Sequence, residues 1–311
     1  NAREGISVRF AHDIFFEWAF FHVLADRGAQ WMGEIKACGE PPAVARVVEL
    51  VSQWEYARGK DWSAFLAQTD GSDLRSQWLR AWLVGPLGTA RFEVDEDQFA
   101  TAVFAVDFRL FRKALVWFQA EKTSPNANIL SGALPQEQRQ RFAYLLGWPS
   151  DFAAWRRLID FILRRISDIP QELYPEIVAI FEVWQNAFAD IRNLTSHALL
   201  QQCATWLAAI DEMSTADGPD ENSAYWEKVP DLGTFRKSLV QILLRSSRAE
   251  PILASDYLQR VTNFERIRED EFHNILAYSP VLAQSLPKSV VDLSLALLRK
   301  ELPDDQVTRE E

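Results

Sequence analysis

The chain of 311 residues holds four histidines and two cysteines, and their spacing decides what chemistry they can do. His12, His22, His197 and His273 lie far apart, no HExxH occurs, and neither Cys38 nor Cys203 belongs to a CxxC pair, so a metal site, zinc knuckle or disulfide framework is not expected. No GxxxxGK[ST] is present: the one Gly-Lys pair, Gly59-Lys60, lacks both the upstream glycine and the following Ser or Thr that cradle phosphates and magnesium. GxGxxG and GxSxG are missing too, and acidic pairs such as Asp304-Asp305 offer no basis for a catalytic role. The expectation is a segment that is not an enzyme and carries no cofactor.

Two basic groups interrupt apolar helical positions: Arg156, Arg157, Arg164 and Arg165, and, earlier, Arg109, Arg112 and Lys113. They read as solvated polar faces, or, in a sharper reading of the first group, as a patch for an anionic partner. The formal net charge of −11 opposes broad nucleic-acid binding, which depends on clustered cations displacing counterions from phosphates.

Phe10-Ala11-His12-Asp13 followed by Ile14-Phe15-Phe16-Glu17-Trp18-Ala19 is the stretch with a family likeness. It resembles the MHD-type motif that ends the winged-helix region of STAND NTPases, with Phe10-Ala11 standing where that motif has a Met. The resemblance implies that His12 contacts the β-phosphate of ADP in a closed state, that Asp13 holds the turn, and that a helical-repeat sensor follows. The nucleotide site would then lie in an upstream NTPase module of a bacterial signalling or antiviral-defence protein. The local alternative is that His12 and Asp13 cap and orient the next helix, where an acidic side chain suits the helix dipole.

These residues must be positioned by helices. Twelve Trp and 20 Phe against 12 Gly point to an aromatic helical core rather than a turn-rich sheet protein. Within Ile6 to Gly28, the positions Ile14, Phe15, Phe16, Trp18, Phe20, Phe21, Val23 and Leu24 cover every face of a helix. That pattern predicts a buried central axis, with Trp18→Ala costing about 3–5 kcal/mol. Glu17 and His22 interrupt the run, and it is too short to cross a bilayer.

Further on, Val44, Val47, Val48, Val51 and Trp54 repeat at helical spacing, Asp61 and Asp73 read as N-caps, and Arg91 to Val94 as a short extended piece. A kink is expected near Val106 and Asp107, and turn-rich stretches at Thr123–Pro135 and Asp211–Ser223 divide the chain. The helices from Asp151, Tyr174 and about Ser196 start roughly 22 to 25 residues apart, so a two-helix unit would span about 45 residues, within the HEAT and armadillo range.

The expected fold is therefore all-α, an irregular HEAT- or armadillo-like antiparallel helical solenoid. Its expected units are 1–122 around the buried helix, 136–212 and 224–302, with a disordered tail at 303–311. The expected function is recognition of a protein or other macromolecular partner, with a freestanding helical adaptor as the alternative. The absence of a secretory pattern and of paired cysteines suggests a reducing cytoplasm, and a start at Asn1 suggests a piece of a longer protein.

Overall fold

The computed structural model describes residues 13–59, 62–133, 135–213, 225–264 and 269–299. Among them are 16 α-helices and almost no strand, so the protein is all-α. The chain divides into two compact units, Asn1–Lys122 with Asp151–Leu158, and Thr123–Ser150 with Ile159–Glu311.

The first unit contains α1 (Asp13–Arg27), α2 (Trp31–Ala37), α3 (Ala45–Arg58), α4 (Trp62–Asp70), α5 (Ser76–Val84), α6 (Phe92–Phe104) and α7 (Arg109–Lys122). Pro42 opens a short 3-10 turn that leads into α3, whose Val47, Val48 and Val51 are buried together with Val44. Gly59, at φ 66°, ends α3 in the left-handed conformation that a Cβ would disfavour. Alternate helices stack: α1 packs on α3, α3 on α5, and α5 on α7.

Tryptophans fill the core of this unit, and the polar atoms of Trp62 and Trp82 are joined through Ser52. Trp31 stacks on Trp82 at 4.9 Å between ring centres, and Phe65 meets Trp82 edge-on. The Trp62 indole N–H donates to Ser52 Oγ at 2.9 Å, the Ser52 hydroxyl donates to the Trp82 carbonyl at 2.6 Å, and the Trp82 indole donates to the Trp62 carbonyl at 3.1 Å. This closed ring lets two fully buried indoles keep hydrogen bonds that burial would otherwise forfeit.

Three sequence expectations are corrected in this unit. Residues from Phe92 are helical rather than extended, and Arg91 pairs with Asp95 one turn on, a partner that an extended backbone would move out of reach. Arg75, not Asp73, precedes α5, because Asp73 instead bonds Lys36. The third concerns α1, which is not a buried axis: of its described side chains only Leu24 is fully buried, while Ile14 is 68% and Trp18 65% exposed. The chain covers α1 on the side of α2 and α3 and leaves the rest of its apolar circumference open. The break expected near Val106 is present, as Val106, Asp107 and Phe108 all adopt positive φ between α6 and α7.

The second unit opens with two short strands, β1 (Thr123–Ser124) and β2 (Trp148–Pro149), paired antiparallel, which enclose α8 (Ala127–Leu130) and α9 (Gln136–Leu145). The helix α10 (Phe152–Arg164) belongs to the first unit through Leu158 and to the second from Ile159. There follow α11 (Tyr174–Phe188), α12 (Leu194–Met213), α13 (Leu232–Arg245), α14 (Pro251–Asn263), α15 (Glu269–Ser285) and α16 (Pro287–Arg299). Side chains set the helix starts: Asn193 Oδ1 accepts from the Ser196 N–H at 2.8 Å, and Asp231 Oδ1 from the Thr234 N–H at 3.2 Å. Alternate helices stack here as well, with α11 on α13, α13 on α15 and α14 on α16, while α12 packs on its neighbour α13.

The core of this unit has an aromatic and an ionic part. Tyr174 stacks on Trp206 at 4.5 Å, with Phe235 against Trp206 at 5.6 Å. Arg236, 2% exposed, donates to Asp211 Oδ1 at 3.0 and 2.7 Å and to Glu271, while Tyr257 donates to the same Glu271 oxygen at 3.3 Å. One guanidinium thus ties α12, α13 and α15 together. Burial pushes the Asp211 carboxyl above its ordinary range, against the pull of Arg236 and Arg260.

Candidate interaction surface

Of the residues singled out by sequence, His12 lies outside the described residues, and Asp13 is the first residue of α1, with its side chain likewise outside them. Arg156 and Arg157 converge on one carboxylate, Glu93, at 2.6 and 3.1 Å, and Arg157 also donates to the Leu87 carbonyl at 3.1 Å. Arg164 is exposed at the end of α10, and Arg165 lies 3.8 Å from Asp168. Arg156 and Arg157 belong to the first unit and Arg164 and Arg165 to the second. The earlier basic group behaves similarly: Arg109 bonds Asp70, with Lys113 3.7 Å away, and Arg109 holds the Asp70 carboxyl below the usual carboxylate range.

No group of three or more His, Cys, Asp or Glu side chains among the described residues is placed to hold a metal ion. No helix among them is long and apolar enough to cross a membrane. Cys203 is buried and its thiol pushed far up by desolvation, so it packs as a small apolar group; Cys38 is exposed. His197 Nδ1 lies 3.2 Å from Glu250, which Arg192 also approaches at 3.3 Å.

The feature that sequence reasoning missed is a groove in the first unit between α1 and α3, about 580 Å³ in volume. One wall is Ile14, Trp18 and Phe21, and the other Leu50, Trp54 and Ala57; each is a run at i, i+4 and i+7, which places it on one helical face. Gly88, Thr89 and Ala90 complete the lining, and Glu17, Gln53 and Thr89 are its polar residues. Phe21 meets Trp54 edge-on at 6.1 Å, Trp18 meets His22 edge-on at 4.6 Å, and the Arg58 guanidinium lies 4.1 Å above the Trp54 ring. The signal was in the sequence as the all-round apolar character of α1. Such a pattern says that a helix is covered on every side, but not which chain supplies the cover.

Chemically, the arrangement can hold an apolar surface; it offers no nucleophile with a base and no cation cluster for phosphate. Comparison of the chain with known protein families, with curated proteins and with solved structures finds no match.

Proposed function

We propose that the chain is a non-catalytic helical-repeat recognition segment, a sensor region within a larger bacterial signalling or antiviral-defence NTPase of the STAND type, which engages a protein or other macromolecular partner. The observation that supports the recognition reading is the exposed aromatic groove on α1. Contiguous apolar surface of this kind on a soluble domain marks an interaction site, and tryptophan is over-represented where binding energy concentrates. The stacking of alternate helices in each unit supports a HEAT-like array, in which each helical pair buries its face on the next. The NTPase relationship is supported by the likeness of His12-Asp13, where α1 begins, to the MHD-type motif.

The reading is tested by nucleotide hydrolysis. The purified chain is expected to show no ATP turnover above a buffer blank, while the natural full-length product hydrolyses ATP through a module outside these residues. Turnover by the isolated chain, or none by the full-length product, would overturn it.

A further inference from the structure

The α1 groove has a shape and charge that select among occupants. Its two walls are helical stripes, Ile14-Trp18-Phe21 and Leu50-Trp54-Ala57, and an element that packs against two such stripes is a third helix with its own apolar stripe at i, i+3 or i+4, and i+7. Glu17, half-buried at the groove, has no ionic partner among the described residues. On the facing helix α3, Arg58 lies over the Trp54 ring and Arg46 pairs with Glu49. A carboxylate in an apolar wall, with no cation beside it among the described residues, favours a partner that brings one. A second copy of this chain suits the groove poorly, because the chain carries a net charge of −11 and would bring like charge to the contact.

We propose that the α1–α3 groove docks an amphipathic helix of a partner protein, with apolar side chains against Trp18 and Trp54 and a Lys or Arg opposite Glu17. The proposal rests on the recognition reading above and names the partner's chemistry.

The test is fluorescence anisotropy with the full chain and two designed peptides of about 18 residues, alike in a leucine stripe of helical period and differing in whether Lys or Glu fills the polar face. The Lys peptide should bind at least about tenfold tighter than its Glu twin, and Glu17→Lys should remove or reverse that preference. Trp18→Ser should weaken the Lys peptide at least about tenfold with helix content unchanged, because Trp18 is a solvent-facing anchor. Glu137→Lys, an exposed charge reversal on α9, should leave binding unchanged.

Equal losses from Glu17→Lys and Glu137→Lys would mean attraction to general acidity and overturn the proposal, as would an unaffected Trp18→Ser variant. Dimerisation abolished by Trp18→Ser would identify a second copy as the occupant, and binding only after removal of residues 1–12 would identify this chain's own start; either result overturns the proposal. If neither peptide binds while the full-length product still hydrolyses ATP and the isolated chain does not, the groove assignment falls and the recognition reading stands.

Discussion

Ser52 is the residue on which the core of the first unit depends most closely, because it both accepts from Trp62 and donates to the Trp82 carbonyl. Gly85 makes that position possible. A Cβ at residue 85 would lie 2.6 Å from Ser52 Oγ, 2.7 Å from Ser52 Cβ and 2.9 Å from the Glu49 carbonyl, so Gly85→Ala must displace backbone or the hydroxyl. It should cost about 1–3 kcal/mol, read as a lowered denaturation midpoint. Arg236 has the matching place in the second unit. Arg236→Met leaves Asp211 and Glu271 facing each other without their buried cation, a loss of about 3–5 kcal/mol. The pH dependence has a definite sign. The Asp211 carboxyl is raised by burial above 3.8, so the stability it adds by binding its proton more tightly when folded is present below that value and lost as pH rises through the raised one. Removing Arg236 takes away a pull in the opposite direction, so the variant's deficit should be larger at pH 7 than at pH 4; equal deficits at both would show that the carboxylates do not carry the effect.

At the scale of the element, α1 and α4 separate the two ways in which an aromatic helix can be read. Trp62 on α4 is fully buried and lies edge-on to Tyr56 at 5.2 Å, so Trp62→Ala should cost about 3–5 kcal/mol. Trp18 on α1 is mostly exposed, and Trp18→Ala should change stability by less than about 1 kcal/mol in the isolated chain. The two thermal midpoints measured side by side check both statements. Periodicity made α3 legible, because its Val44, Val47, Val48 and Val51 stripe is buried and the helix stops at Gly59, and the start of α11 at Tyr174 was legible in the same way. The burial of α1 was not, as the cover of an all-round apolar helix need not lie in its own chain. The reach of α15 through Pro280 to Ser285 was also hidden, because a proline inside a helix ordinarily signals its end. The groove escaped for a related reason: Trp54 fits the core stripe of α3 by spacing, and only the packing of α1 beside α3 shows that it forms a wall.

Across the whole molecule, the all-helical class followed from composition and period, while the pairing of alternate helices in each unit came from packing between residues too distant in sequence for periodicity to relate. A chain built this way has long helical faces to present, which is what the proposed recognition role would use. In the proposed parent, the segment holds or releases a closed nucleotide-bound state, and any bias it exerts equals the difference in its contacts between the two states. His12 and α1 follow one another directly at that junction. The most direct measurement is the rate of ADP release from the natural full-length product, wild type against His12→Ala, with the melting temperature of the isolated chain measured for both. Faster ADP release and higher basal activity, with the isolated chain losing only about 0.5–1.5 kcal/mol, is the predicted result. Unchanged ADP release and basal activity, together with a strongly destabilised isolated chain, would make His12 a structural residue and contradict the sensor reading.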